Sequence, residues 1–244
     1  MRQLPVVFKR ELASYFATPL AYVFIVMFLV LSSVFTFYLG GFYERGQADL
    51  APFFDFHIWL YLLLMPAIAM RLWAEERKSG TLELLMTLPI SRFEAVTGKF
   101  MAAWVFAGLG LLLTFPLVLT VNYLGDPDNG ALATAYLGSW LLAGAYLAIG
   151  SCMSALAKNQ VIAFILAMSL SFLFIVSGLP MVLDLFSGWA PQWLVDGIAS
   201  LSFLTRFTAI SNGVIDLRDL LFFVTLIAAW LAATAVVIDM KKAD

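Results

Sequence analysis

An all-α, polytopic membrane protein with six transmembrane helices is the fold class this sequence predicts, and three observations predict it. Of 244 residues, 63% are hydrophobic and 12% charged, against about 25% charged in a typical soluble domain. The apolar residues gather in runs that match the roughly 20 helical residues needed to cross a hydrocarbon core. The basic residues gather on alternate connections between those runs. No series of alternating segments suggests a β-barrel.

The runs lie between charged residues. Glu11 and Glu44 enclose the first, near Pro19 to Leu39. The second, Asp55 to Arg71, is short, so its helix is expected to continue past Arg71. The third lies between Lys99 and Asp126, the fourth between Asp128 and Lys158, the fifth between Lys158 and Asp184, and the sixth between Asp219 and Asp239. With a cytoplasmic N-terminus, the inner side holds Arg2, Lys9, Arg10, Arg71, Arg77, Lys78, Arg92, Lys99, Lys158, Lys241 and Lys242. The outer side holds only Arg45, Arg206 and Arg218. The positive-inside rule therefore places both termini in the cytoplasm of a bacterial inner membrane. Met1 to Phe16 carries Arg2, Lys9, Arg10 and Glu11, which is not the pattern of a cleavable signal peptide. No internal repeat, low-complexity linker or second domain is visible, so residues 1–244 read as one membrane domain.

Three segments depart from plain spans. In residues 1–17, Leu4, Phe8, Leu12 and Phe16 repeat every four positions, with Arg2, Lys9 and Arg10 off the stripe. That predicts an amphipathic helix lying in the plane of the inner interface. In residues 185–218, Trp189, Trp193, Phe203 and Phe207 alternate with polar residues, which predicts short helices in the outer interface.

The third segment, residues 74–98, is the most informative. Glu75-Glu76-Arg77-Lys78 ends the second span, and Gly80 permits a sharp change of direction. Thr81 is placed to cap a short helix with Glu83 in its first turn, and Pro89 closes it. Ser91-Arg92-Phe93-Glu94 has the S-x-x-E spacing of a capping box and should start the third span. Leu82, Leu85 and Met86 share one side of the short helix, with Leu84 and Leu88 on another. Such a helix must be buried against lipid or against a partner protein, and the residues alone leave both open.

Several chemistries are excluded. One cysteine, Cys152, and one histidine, His57, supply neither a disulfide nor a paired-histidine metal motif. The net charge of −2 gives no basic field for nucleic acid. No ionisable residue falls within the spans, which argues against proton or sodium coupling. A serine protease would need His57 within about 3 Å of a serine such as Ser151. The two belong at opposite ends of the second and fourth spans, so His57 reads as an ordinary outer-interface residue. Gly144, Ala148 and Cys152, with Gly150 and Ser154, have small-xxx-small spacing. Packing within the bundle explains it, with a dimer contact or pathway lining as alternatives.

The sequence also resembles a known family, the ABC-2 type permeases, and among them the subgroup associated with gliding motility and copper-reductase maturation. The resemblance rests on Met65-Pro66-Ala67, Met70-Arg71, Glu75-Glu76-Arg77, Gly80-Thr81-Leu82-Glu83-Leu84-Leu85, Leu88-Pro89 and Gly98-Lys99. Arg10-Glu11-Leu12, Tyr15-Phe16 and Pro19-Leu20-Ala21-Tyr22 are similar as well. It implies an ABC-2 exporter-like fold in which the short helix after the second span is a coupling helix seated in a separate ATPase subunit. The coupling residues would then be Glu75, Glu76, Arg77, Gly80, Thr81, Leu82, Glu83, Leu84, Leu85, Met86 and Leu88. The N-terminal interfacial helix, through Phe8, Arg10, Glu11, Leu12 and Phe16, would contact the same subunit. Residues 185–218 would match partly re-entrant helices over the translocation path.

The resemblance further implies two copies of a cytoplasmic ABC ATPase and a second permease copy or paralogue, and leaves room for an extracytoplasmic accessory protein. The chain has no G-x-x-x-x-G-K-[ST] loop, so ATP and magnesium belong to the partner and this chain is expected to be no enzyme. The rival reading is a membrane anchor or assembly protein that moves nothing and relays ATPase action to an extracytoplasmic complex.

Overall fold

The computed structural model describes residues 3–81 and 90–241. All regular structure among them is helical. Helix α1 is Leu4–Phe16, and α2 is Pro19–Val34, extended by a π-helical turn over Phe35–Leu39. A short α3, Ala51–Asp55, precedes α4, His57–Ala69, and α5, Arg71–Ser79. Then follow α6, Arg92–Leu112, α7, Phe115–Leu124, and α8, Asn129–Leu156. The chain continues through α9, Gln160–Val176, α10, Pro180–Ser187, α11, Gln192–Ser200, and α12, Phe203–Ser211. It ends in α13, Leu217–Lys241.

Among the described residues, five helical stretches are long and apolar enough to cross a membrane: Pro19–Leu39, His57–Ser79, Arg92–Leu124, Asn129–Leu156 and Leu217–Met240. The number rises to as many as seven if each of two bent pairs is one span. The pair α9–α10 bends by 82° and the pair α11–α12 by 57°. The expected six lies inside this range without being fixed by it. The expected fifth span is the reason, because its straight part stops at Val176 and the chain turns at Pro180. The second span does continue past Arg71, as its shortness requires.

Helix α8 is the centre of the bundle and packs against α4, α5, α6, α9, α12 and α13. Its small residues make this possible. A Cβ on Gly150 would stand 2.4 Å from the Ala69 Cβ, and one on Gly144 would stand 2.8 Å from the Trp104 indole nitrogen. The small-residue spacing in this helix therefore serves packing inside the bundle. Between α6 and α8, Trp104 and Trp140 stack with centroids 4.2 Å apart, and each indole N–H donates to the other's backbone carbonyl.

His57 is a correction to the sequence reading. It is fully buried, not an exposed interface residue. Its Nδ1 lies 2.8 Å from Ser139 Oγ, which in turn lies 2.9 Å from the Tyr61 hydroxyl. Rings of Phe28, Phe53, Phe54 and Tyr61 surround it. A lone histidine at a predicted helix end reads as wet, but here a serine on the central helix gives it a buried partner. Ser151 is engaged elsewhere, accepting the Trp73 indole N–H at 3.0 Å. The pairing a protease would need is not formed.

The outer segment divides by residue type. Trp193 on α11 and Trp189 in the turn before it are exposed, as expected of interfacial residues. Phe203 and Phe207 are buried in the bundle instead. Arg206 of α12 forms an ion pair with the buried Asp219 at the start of α13 and lies over the Phe222 ring, so this end of the segment is fastened down.

Candidate coupling site

The residues at one end of the bundle converge on Lys99. Helix α1 runs alongside the first half of α6 in the same direction, with the Gln3 N–H facing Glu94, Val7 against Gly98, and Tyr15 stacked on Phe106. The approach at Gly98 is close: a Cβ there would lie 2.8 Å from Val7 Cγ1. The stripe of Leu4, Phe8, Leu12 and Phe16 is at least half covered, but its centre is Val7, the one buried residue of the helix. A protein helix, α6, covers this face where the sequence predicted an interface with lipid. A period of four residues reports that a face is buried and is silent on what buries it. Arg10 stays exposed and bonds Glu11.

Lys99 is 4% exposed. Its Nζ lies 2.8 Å from Glu76 of α5 and 3.3 Å from Glu11 of α1, and it sits over the Trp73 ring at 5.3 Å. One ammonium thus joins three helices. A buried charge is tolerated only when paired in this way. In the sequence Lys99 reads only as a charge bounding the third span, because its partners Glu76 and Glu11 stand 23 and 88 positions away.

Helix α5 is fastened to the central helix as well. The break between α4 and α5, four residues after Pro66, leaves backbone groups without their helical partners. Ser154 of α8 supplies them: its hydroxyl accepts the N–H groups of Trp73 and Ala74, each at 3.0 Å, and donates to the Met70 carbonyl at 2.8 Å. Arg77 donates to the Ala155 and Leu156 carbonyls, at 2.8 and 2.7 Å, and so caps the end of α8. Glu75 pairs with Arg71 one turn earlier on the exposed side. Of the predicted coupling residues, Glu76 and Arg77 therefore face inward, and Glu75 outward.

Gly80 ends α5 in the left-handed conformation, φ +72°, the redirection expected of it. The Thr81 hydroxyl bonds back to Ser79 at 2.8 Å. Leu82, Glu83, Leu84, Leu85, Met86 and Leu88, the body of the predicted coupling helix, lie outside the described residues. The chain resumes at the capping box: Glu94 N–H donates to Ser91 Oγ, and Ser91 N–H to the Glu94 carboxylate.

Taken together, the second span ends in a helix, α5, fastened on one side to the central helix α8 and on the other, through Lys99, to α6 and the N-terminal helix. Residues 54–240 match the ABC-2 family transporter proteins, and the chain belongs to that family. Its class is the membrane permease of an ABC transporter, which associates with an ABC ATPase. No curated protein matches the chain.

Proposed function

We propose that this chain is the permease subunit of an ABC exporter in a bacterial inner membrane, with both termini in the cytoplasm. It works with a second permease copy or paralogue and two copies of a separate ATPase, which alone binds ATP and magnesium and hydrolyses the nucleotide. Within the family, the quoted motifs favour the subgroup associated with gliding motility and copper-reductase maturation. The outer segment, folded back over the bundle, caps the path.

The observation that carries this reading is the fastening of α5. A push delivered to the segment after Gly80 reaches a helix tied to α8 by Ser154, Trp73 and Arg77, and to α1 and α6 by Lys99. Force applied there moves the central helix, because the contacts are buried polar ones that are costly to break.

The test is reconstitution with the ATPase. The chain alone should hydrolyse no ATP. Leu85→Asp puts a charge into the apolar pattern of Leu82, Leu85 and Met86, and on this reading it should lose ATPase binding by a hundredfold or more, roughly 3 kcal/mol. Retained binding and retained stimulation in Leu85→Asp would remove the coupling role from this segment.

A further inference from the structure

A cavity of about 290 Å³ lies between α1, α2 and the α4–α5 helix pair, beside Lys99. We propose that it binds the headgroup of an amine-bearing amphiphile that enters from the adjoining membrane leaflet, with the hydrocarbon tail lying along α2.

Polarity along the cavity wall is the first argument. Ala67 and Ile68, then Arg71 and Leu72, then Glu75 and Glu76 line it at successive turns of α4–α5, over about 13 Å of helix. The opposite wall runs from Phe24, Ala21 and Leu20 of α2 to Thr18, Ser14 and Glu11. Both walls change from apolar to charged in the same direction. A lipid in the neighbouring leaflet has that order, tail inward and head toward the aqueous side. Phe24 and Ile68 also line a narrow apolar slot farther in, of about 20 Å³, so the dry end continues into the bundle.

Size and opening fit a headgroup with its tail outside. The volume is at the bottom of the ~300–1,000 Å³ range of small-ligand sites, too small for a whole lipid. Leu20 lines the cavity and is exposed, and Val23 and Met27 continue an exposed apolar stripe at i+3 and i+7 along α2. A tail leaving the mouth has a surface to follow.

Charge selects the head. Glu11, Glu75 and Glu76 meet Arg71 and Lys99 on the wall, and Arg10, outside it, also pairs with Glu11, so the need is local to one carboxylate. Lys99 is shared between Glu11 and Glu76, and Arg71 holds Glu75. The second carboxylate oxygen of Glu76 is buried and has no hydrogen-bond partner among the described residues. The unmet need is therefore for a hydrogen-bond donor at a carboxylate oxygen, and a primary ammonium supplies three N–H groups of the complementary charge. A carboxylate or sulfate head would bring like charge to the same place. Tyr15 lines the cavity too. Burial and then the Glu11 charge push its phenol above the ordinary tyrosine value, which keeps it a neutral donor.

The experiment uses the full chain in phosphatidylcholine nanodiscs and a long-chain primary alkylamine carrying a diazirine next to the nitrogen. After irradiation, labelled peptides are identified by mass spectrometry. Saturable labelling of α2 and α4–α5 is expected, about tenfold stronger than with the carboxylate of the same chain length, the ratio one modest ion pair provides. Phosphatidylethanolamine should compete. Ala67→Trp, which fills the cavity, should abolish the saturable part, and Leu20→Trp at the exposed mouth does the same job if the buried change unfolds the protein. Glu76→Gln and the exposed Glu75→Gln should each bring the amine and carboxylate probes toward equality. Equal labelling of the wild type by both probes overturns the proposal, as does labelling indifferent to both tryptophan variants. Complete protection by bound ATPase would show that a protein covers this cavity, and would overturn it as well. No ATP or flux enters the measurement, so its failure leaves the permease reading standing, and failure of that reading leaves this one testable.

Discussion

Lys99 Nζ lies 2.8 Å from a Glu76 carboxylate oxygen, and this pair joins the helix that leaves the second span to the helix that begins the third. The chain leaves this pair at Gly80 and is described again from Ile90. The ionic contact has a third member, Glu11, contributed by the N-terminal helix.

Lys99→Met should destabilise the chain strongly. Removing one partner of a buried pair leaves uncompensated charge and costs roughly 3–5 kcal/mol, and here Glu76 is stranded while Glu11 keeps only Arg10. Thermal melting of the purified chain is the measurement. The triple change Lys99→Met, Glu76→Gln and Glu11→Gln should recover much of the loss, since no charge is then stranded. Melting of Lys99→Met at the wild-type temperature would contradict the buried triad.

Ser154→Ala should act through the backbone of another helix. It strips the acceptor from the Trp73 and Ala74 N–H groups and the donor from the Met70 carbonyl. Each orphaned buried group costs about 1–3 kcal/mol, and Ser154 itself is fully buried. Hydrogen exchange at Trp73 and Ala74 should rise far more than at the Trp104 indole contact. Unchanged protection at both amides would mean that the helix break is held by other means.

Five of the six expected spans, the capping box and the turn at Gly80 were legible because each is written in neighbouring residues. Ser91 and Glu94 carry their own geometry, and a glycine after Lys78-Ser79 announces a left-handed stop. The small residues of α8 announced close packing but not which helices approach. What could not be read were contacts between residues far apart in sequence. Nothing near Ser154 says that it completes a helix broken at Met70, and nothing near Lys99 says that two carboxylates meet it. His57 failed for the same reason, its partner Ser139 being on another helix. The N-terminal stripe was found, but lipid and α6 are equally apolar covers, and only the fold distinguishes them.

Topology is checked by labelling. Cys152 is buried and has no cysteine to pair with, so Cys152→Ala gives a cysteine-free background. Asn129, Gln192 and Ser79 are all exposed, so a new cysteine at each is reachable from its own side of the membrane. Asn129→Cys and Gln192→Cys should react with an impermeant maleimide in intact cells. Ser79→Cys should react only after permeabilisation. Reaction of Ser79→Cys in intact cells would invert the orientation and move Lys99 and its carboxylates to the wrong side for an ATPase.

The last prediction separates conformation from contact at the turn into the coupling segment. Gly80 has φ +72°, and a Cβ there would meet nothing within 4 Å among the described residues. Any loss on substitution is therefore one of backbone geometry, because there is no steric neighbour to displace. A non-glycine residue in this region costs roughly 1–2 kcal/mol, asparagine less, and a β-branched residue most. The chain relieves that strain by turning differently after Ser79, which redirects the following segment while leaving the buried contacts of α5 in place. Gly80→Asn should behave nearly as wild type, Gly80→Ala should be intermediate, and Gly80→Val should be worst. The order should appear in ATPase co-purification and stimulated hydrolysis, with Gly80→Val weakened about tenfold, the equivalent of 1.4 kcal/mol. Melting of the isolated permease should be the same for all three, since the site is exposed. Leu132→Ala, on α8 at the other end of the bundle, is the control that should lower melting and leave ATPase binding intact. If Gly80→Val binds and couples as well as Gly80→Asn, the left-handed turn does not set the direction of the segment that meets the ATPase.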